Sequence, residues 1–129
     1  MSTYWDSSAL VEAVFESALW RRLESARGVS RPHALAEVFS VLTGNPETRI
    51  SADDAARVLE NLTKHLEFVE LSAADVLAAA KQARKKGVRG GRIHDFLHVA
   101  AAEKASAVRI LTLDKHDFSD LTDLEIEIA

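Results

Sequence analysis

Apolar and polar positions alternate along this 129-residue chain in a way that predicts strands separated by helices. Residues 3–5 form a short apolar run, and residues 108–113 form a β-branched run that is typical of a buried strand. Residues 67–71 and 124–128 instead alternate between apolar and polar side chains, as half-buried strands do. The pattern therefore places strands near both ends of the chain and in its middle.

Helices are predicted between these strands from apolar side chains at helical spacing. One or two helices fill residues 8–27, and Gly28 ends that run. Pro32 suits the first turn of the next helix, because proline needs no hydrogen-bond partner for its nitrogen there. The segment Gly44-Asn45-Pro46 then stops this helix.

Two later helices begin at residues that have capping chemistry. Ser51 and Ser72 each stand three residues before an aspartate, which is the spacing of a capping box, and each begins a segment rich in alanine and leucine. No hairpin turn joins any two of the predicted strands. Strands connected through helices favour a parallel sheet that is covered on both faces, so the chain is predicted to be an α/β protein.

Composition limits the class of protein. A length of 129 residues suits a single domain, expected to span residues 1–129, and 47% hydrophobic residues with a mean hydropathy of -0.05 are typical of a globular chain. The lack of cysteine excludes disulfides, thiolate zinc sites and a cysteine nucleophile. No basic leader precedes an apolar segment, and no apolar stretch could cross a bilayer. We therefore expect a cytoplasmic protein with no membrane partner.

The charge distribution is more informative than the net charge of -4. A net negative charge argues against a nucleic-acid partner only weakly, because a bound cation reverses the charge around it. From residue 81 to residue 92 the chain carries basic side chains without an acidic one, namely Lys81, Arg84, Lys85, Lys86, Arg89 and Arg92. These cations complement the carboxyl end of a helix, or else Lys85, Lys86, Arg89 and Arg92 bind nucleic-acid phosphates.

Acidic side chains stand within or at the end of several apolar segments: Asp6, Glu37, Asp95, Asp114 and Asp117. Each alone has an ordinary explanation as a helix cap, a helix surface residue or a turn former. Together they are costly in apolar surroundings unless they are paired, hydrogen-bonded or bound to a cation. Asp6 and Asp114 follow predicted strands, at the edge where parallel sheets bind ligands. With no thiolate available, convergent carboxylates predict a Mg²⁺ or Mn²⁺ site.

Histidine and aromatic residues offer other sites. His94 and His98 have the spacing of a zinc-binding pair on a helix, but without a third nitrogen or sulfur ligand we do not favour zinc. Trp5 and Phe118 are expected in the core. Trp20 is expected at a contact with a partner, because two arginines follow it.

Four blocks of sequence, in a consistent order and spacing, resemble a known family. They are Asp6-Ser7-Ser8-Ala9-Leu10, Ala36-Glu37-Val38, Gly91-Arg92-Ile93-His94-Asp95-Phe96-Leu97 with Ala100-Ala101-Ala102 behind it, and Leu111-Thr112-Leu113-Asp114-Lys115-His116-Asp117-Phe118. The chain resembles the PIN-domain ribonucleases over its full length, and among them the VapC-type toxins of toxin-antitoxin pairs. The resemblance implies a PIN-like three-layer α/β/α sandwich with a five-stranded parallel sheet.

The resemblance also implies a function and a set of roles. The activity would be metal-dependent hydrolysis of RNA, with Mg²⁺ or Mn²⁺ as the cofactor. The family's acidic cluster falls on Asp6, Glu37, Asp95 and the pair Asp114 and Asp117, and its supporting hydroxyls fall on Ser8 and Thr112. Which member of the aspartate pair contacts the metal stays open. The implied partners are an RNA substrate, a cognate antitoxin protein and a second copy of the chain.

Other functions are less well supported by the sequence. A phosphotransferase with an aspartyl nucleophile needs a second acid two residues after Asp6, where Ser8 stands instead. A nucleotide-binding module needs a glycine-rich loop after the first strand, and that loop is missing. The remaining alternative is a catalytically inactive PIN-like domain that acts through protein partners. The complete set of acids favours the enzyme.

Overall fold

A computed structural model describes residues 2–129 of the chain. Its strands are β1 (Thr3–Trp5), β2 (Gly28–Ser30), β3 (Leu66–Phe68), β4 (Arg109–Thr112) and β5 (Glu125–Ile128). Its α-helices are α1 (Ser7–Phe15), α2 (Ser17–Ser25), α3 (Pro32–Gly44), α4 (Ala52–Thr63), α5 (Ala73–Gln82) and α6 (Arg92–Lys104). Short 3₁₀ turns occupy Ala83–Lys86 and Lys115–Asp117.

The strands form one sheet in the order β3-β2-β1-β4-β5, and every neighbouring pair is parallel. β1 is central, and the chain builds β2 and β3 on one side of it before it crosses to build β4 and β5 on the other. Successive side chains of a strand point to opposite faces, so Tyr4 and Ile110 belong to one apolar cluster while Trp5 and Leu111 belong to the other. Helices cover both faces, which confirms the three-layer α/β/α sandwich.

The strand β2 is the main difference from the sequence-based expectation. Gly28 was expected to end a helical run, but it is the first residue of β2 and pairs with Leu66 of β3. All three residues of β2 are buried, because the strand lies inside the sheet between β1 and β3. The glycine is required by packing, since a Cβ at Gly28 would lie 2.7 Å from the indole ring of Trp5.

The helix limits follow from local chemistry. The apolar run 8–27 is two helices that meet at Glu16, which is extended and closes α1 with its backbone N–H. Pro32 is the first residue of α3, as predicted. Ser72 forms a complete capping box at the start of α5, whereas Ser51 caps α4 through one side-chain hydrogen bond, with the N–H of Asp54.

The aromatic side chains separate as expected. Trp5 and Phe118 are buried in the two apolar clusters. Trp20 is partly buried and meets the ring of His65 edge to face, with ring centroids 5.7 Å apart. A partner contact at Trp20 stays a prediction. In residues 2–129, no helix combines the length and the apolar character that a membrane crossing needs.

Candidate active site

The candidate site lies at the carboxyl edge of the sheet, where β1 and β4 end side by side. Trp5 pairs with Leu111 in the register of these strands, and the backbone N–H of Asp6 donates to the carbonyl of Leu111 over 3.2 Å. Asp6 therefore follows β1 directly and lies beside the last residue of β4, Thr112. In sheets of this kind, ligands bind at the edge where the strand order reverses.

Asp6 is held by hydrogen bonds to both of its carboxylate oxygens although it is only 5% exposed. Its Oδ1 accepts from the Ser8 hydroxyl over 2.7 Å and from the Ala9 N–H over 2.9 Å. Its Oδ2 accepts from the Thr112 hydroxyl over 2.6 Å. An ionised carboxylate can accept about four hydrogen bonds, so Asp6 retains acceptor capacity toward the solvent side.

Ser8 and Thr112 also fix the loop that follows β4. The Ser8 hydroxyl accepts from the N–H of Leu113 over 3.0 Å, and the Thr112 hydroxyl accepts from the N–H of Asp114 over 3.2 Å. The two hydroxyl oxygens lie 3.3 Å apart. The residues that the sequence assigned to support the acids thus contact Asp6 directly, and their part in catalysis stays a prediction.

Asp95 and Asp117 lie close enough to Asp6 for its negative charge to raise their pKa values. Asp95 lies in the first turn of α6, and burial, followed by the charges of Asp117 and Asp6, raises its pKa. Burial, followed by the charge of Asp114, raises the pKa of Asp117, and Asp6 raises it further. Among residues 2–129, neither carboxylate accepts a hydrogen bond. These acids repel one another, and repulsion between like charges raises the pKa of each carboxyl group.

Glu37 lies on α3, the helix that directly follows β2, and its place among the metal ligands stays a prediction. Its Oε1 lies 3.0 Å from Nε2 of His98 on α6. Burial by itself would raise the pKa of Glu37, but the hydrogen bond and charge of His98, with His33 and Arg31, hold that pKa below its ordinary value. The pKa of Glu37 thus shifts in the opposite direction from those of Asp95 and Asp117.

Sequence reasoning missed the partners of Glu37. His98 is 3% exposed, and its Nδ1 lies 2.7 Å from the hydroxyl of the fully buried Tyr4. Burial raises the pKa of that hydroxyl well above its ordinary value. The signal in the sequence was a histidine within an apolar helical segment, between Leu97 and Val99. His94, the other member of the supposed zinc pair, is exposed instead.

Asp114 lies at the rim of the site and caps a turn. It is exposed, and its Oδ1 accepts from the N–H of His116 over 2.9 Å at the start of the 3₁₀ turn Lys115–Asp117. Both members of the aspartate pair therefore belong to one short segment after β4. Which of them binds metal stays a prediction.

The basic run divides into two parts. Lys85 and Lys86 are exposed in the 3₁₀ turn after α5, which Gly87 ends with a left-handed backbone at φ 67°, and Arg89 is exposed after it. Arg92 instead pairs with Asp120, with 2.9 Å between its Nη2 and Oδ1, and donates to the carbonyl of Asp117 over 3.3 Å. Both explanations of the run, helix complement and phosphate binding, stay open for the first three residues.

The chemistry of the acids fits a hard divalent cation, because carboxylate oxygens are the ligands that Mg²⁺ and Mn²⁺ prefer. In the arrangement of residues 2–129, however, no three histidine or acidic side chains are grouped closely enough to hold a metal ion. Charge effects link Asp95 and Asp117 with Asp6. A cleft of about 440 Å³ lies beside Glu37, lined by Ser7, His33, Ala36, Glu37, Ser40 and Val41.

A comparison with protein families gives the class. The family model of the PIN domain matches residues 3–124. The chain therefore belongs to the PIN domain family, as its four sequence blocks suggested. PIN domains are typically nucleases, which are hydrolases, they generally use divalent metals, and PIN nucleases bind RNA. No curated protein sequence matches the chain significantly.

Proposed function

We propose that this PIN domain is a Mg²⁺- or Mn²⁺-dependent endoribonuclease and the toxin of a toxin-antitoxin pair. The observation that carries the proposal is Asp6, a buried carboxylate at the carboxyl edge of the central strand with three hydrogen-bond donors fixed on it. The bond from Ala9 caps α1, and the hydroxyls of Ser8 and Thr112 provide further donors to a carboxylate that is costly to bury without them. Asp95 and Asp117 add further negative charge to the same edge.

Each residue has a distinct part in the proposed reaction. Asp6, Glu37 and Asp95, with Asp114 or Asp117, would hold the cation. When bound, the cation supplies an activated water and neutralises charge on the scissile phosphate. Ser8 and Thr112 hold Asp6 in a single orientation. Glu37 stays ionised at neutral pH, because its pKa lies below the ordinary value.

The surroundings of the acids suit RNA. The open cleft beside Glu37 could admit an unpaired strand, and single-stranded RNA is the form in which bases are accessible. The exposed cations Lys85, Lys86 and Arg89 are available for phosphates. Substrate RNA of this kind, a cognate antitoxin, a homodimer and a cytoplasmic location complete the proposal, and the last three rest on the resemblance to VapC-type toxins and on the sequence.

An RNA cleavage assay tests the activity. We expect the wild-type protein to cleave a single-stranded RNA pool with Mg²⁺ or Mn²⁺ and to stop when the metal is chelated. Asp6→Asn and Asp95→Asn should each lower the rate by about 100-fold or more, or about 2.7 kcal/mol in activation free energy. Asp53→Asn is the matched control, because Asp53 is an exposed acid in the first turn of α4. Undiminished cleavage by Asp95→Asn in the presence of chelator would refute the proposal.

The toxin role needs a separate test. Induced expression in a bacterial host should arrest growth for the wild type and not for Asp6→Asn, and the product of the reading frame next to the gene should reverse the arrest. Cleavage in the tube without growth arrest would leave the ribonuclease and reject the toxin. Growth arrest by both the wild type and Asp6→Asn would instead support a catalytically inactive domain that acts through protein partners.

A further inference from the structure

A buried hydrogen-bonded chain connects three layers of the fold behind the acids. It runs from Tyr4 on β1 to His98 on α6 and to Glu37 on α3, with successive distances of 2.7 Å and 3.0 Å. We propose that Tyr4 and His98 are positioning residues, which hold the Glu37 carboxylate in one orientation so that it can bind the divalent cation. This inference rests on the proposed function and names residues that the sequence blocks do not include.

The chain of bonds leaves little freedom to its members. Tyr4 is 0% exposed and His98 is 3% exposed, whereas the side chain of Glu37 keeps 29% of its surface. The two rings also pack edge to face, with centroids 5.7 Å apart and planes at 64°. Glu37 is therefore the one member that reaches the solvent, and it lines the cleft of about 440 Å³ that begins next to Asp6, at Ser7.

The direction of each hydrogen bond follows from the groups present. An ionised carboxylate can only accept, so Nε2 of His98 must carry a proton and donate it to Oε1 of Glu37. In a neutral ring, Nδ1 is then an acceptor, and the Tyr4 hydroxyl donates to it. The Glu37 carboxylate thus requires the proton on Nε2 of His98, and the Tyr4 hydroxyl holds the other side of the ring through Nδ1.

This arrangement explains why His98 is not itself a metal ligand. Both of its ring nitrogens are used, one by Tyr4 and one by Glu37. Oε1 of Glu37 is drawn toward the interior, which leaves Oε2 for the cleft. Partners that orient a ligating group in this way are worth about 10-fold to 100-fold in metal affinity.

The first experiment measures the tautomer directly. Long-range ¹H–¹⁵N spectra of the metal-free wild type should show a protonated Nε2 and an unprotonated Nδ1 for His98. Tyr4→Phe keeps the ring and removes the hydroxyl that Nδ1 contacts, so the Nδ1 resonance of His98 should shift while Nε2, which faces Glu37, keeps its proton. A wild-type ring with its proton on Nδ1 would overturn the inference, because His98 could not then donate to Glu37.

The second experiment measures Mn²⁺ affinity by calorimetry, which does not depend on cleavage. We expect Glu37→Gln and His98→Phe each to weaken Mn²⁺ binding by about 10-fold or more. Because the two residues act as one unit, the double variant Glu37→Gln/His98→Phe should bind Mn²⁺ no more weakly than the single variant with the lower affinity. His98→Gln keeps an N–H at a similar reach and should recover most of the affinity. His94→Gln, on the exposed side of the same helix, is the matched control and should bind as the wild type does.

The outcomes separate this inference from the proposed function. If Glu37→Gln leaves the Mn²⁺ affinity unchanged, Glu37 is not a ligand, and the site assigned under the proposed function is wrong. If Glu37→Gln weakens binding while His98→Phe and Tyr4→Phe do not, the site stands and the positioning role is overturned. Should His98→Phe unfold because it leaves the Tyr4 hydroxyl unpaired, the double variant Tyr4→Phe/His98→Phe removes that conflict and is measured in its place.

Discussion

The buried polar side chains of this chain are concentrated around the candidate site. Within residues 2–129 the buried polar residues are Asp6, Ser30, His98 and Thr112, and no buried side-chain nitrogen or oxygen lacks a hydrogen-bond partner. Ser30 ends β2 and donates to the carbonyl of Trp5 over 2.8 Å, next to Asp6. Buried polar groups destabilise a fold unless they are satisfied. These residues bond to Asp6, to its neighbour Trp5 or to Glu37, so the satisfied polar groups surround two of the acids of the proposed site.

Asp95→Asn should stabilise the metal-free protein at neutral pH. The pKa of Asp95 is raised, so the stability linked to this group is present below the pKa of the unfolded chain and is lost as pH rises through the folded pKa. Asparagine has no carboxyl group to ionise, so the variant does not lose this folding stability as the pH rises. Because the carboxyl is half-exposed and screened by solvent, we expect a gain below about 1 kcal/mol at pH 7 that disappears in acid.

Thermal unfolding from pH 3 to pH 8 checks this expectation, with Asp53→Asn as the control for an exposed acid. Added Mn²⁺ should then reverse the order of stability, because only the wild type gains a full set of ligands. A variant that is less stable than the wild type at pH 7 without metal, or a difference that does not depend on pH, would contradict the assignment of repulsion at Asp95.

At the scale of single residues, the sequence revealed the acids but not what holds Glu37. Asp6 and Glu37 stand out because an acid in an apolar segment is visible locally. The partners of His98 are not visible in this way, because Tyr4 is 94 residues away and Glu37 is 61 residues away along the chain. Only the strand order brings them together. The local signal, a histidine in a buried helix, does not say which atoms it meets.

At the scale of elements, the segments with caps and strong periodicity were predictable, and β2 was not. Pro32 and Ser72 mark helix starts through their own side chains. β2 has only three residues, Gly28–Ser30, and all are buried, so it shows neither alternation nor a β-branched run. Its pairing depends on neighbours that are distant in sequence, which is why it emerges only from the fold.

Gly28→Ala should destabilise the fold by about 1–3 kcal/mol, because a Cβ at this position would lie 2.7 Å from the Trp5 ring and 3.1 Å from Leu23. Both side chains are buried and cannot move away without repacking. Gly44→Ala is the control, since no atom lies within 4 Å of its added Cβ, and it should change stability by less than about 1 kcal/mol. Denaturant unfolding compares them, and equal stability of the two variants would show that β2 does not pack as described.

At the scale of the whole molecule, topology creates the site. The strand order β3-β2-β1-β4-β5 sets the ends of β1 and β4 side by side, which brings Asp6 next to Thr112 and within reach of the charges of Asp95 and Asp117. No local pattern contains this arrangement, and the parallel sheet could be foreseen only because helices separate the predicted strands. The resemblance to the PIN family implied the fifth strand that periodicity did not show, and the order of the strands comes from the structure alone.

The chain should form a homodimer in solution, as expected from the apolar surplus of the helices in residues 8–27 and 51–66. Phe15, at the end of α1, is a large apolar side chain that is 55% exposed within the first of these segments, so a symmetric contact there would cover it. Sedimentation should give twice the monomer mass of 14.1 kDa, and Phe15→Glu should give the monomer. Leu77→Glu is the control, because Leu77 on α5 is also 55% exposed. A wild-type monomer across the micromolar range would reject the dimer.

The last prediction concerns how a chain with net charge -4 attracts RNA. The exposed cations Lys85, Lys86 and Arg89 lie between α5 and α6, a few residues before Asp95. Within residues 2–129, none of the three forms a salt bridge. Arg92 differs, because Asp120 already neutralises it. We therefore expect the first three residues, and not Arg92, to supply the phosphate contacts.

Replacement of Lys85, Lys86 and Arg89 by glutamine should weaken the binding of single-stranded RNA and flatten its salt dependence. Each phosphate contact with a single strand contributes about 0.7 to the slope of log affinity against log salt, so the slope should fall by about 2 if all three bind. Measurement uses the inactive Asp6→Asn background at several salt concentrations, and Lys64→Gln, an exposed lysine after α4, is the control. Mn²⁺ affinity should stay the same. An unchanged slope would mean that these cations only complement the carboxyl end of α5 or bind a protein partner.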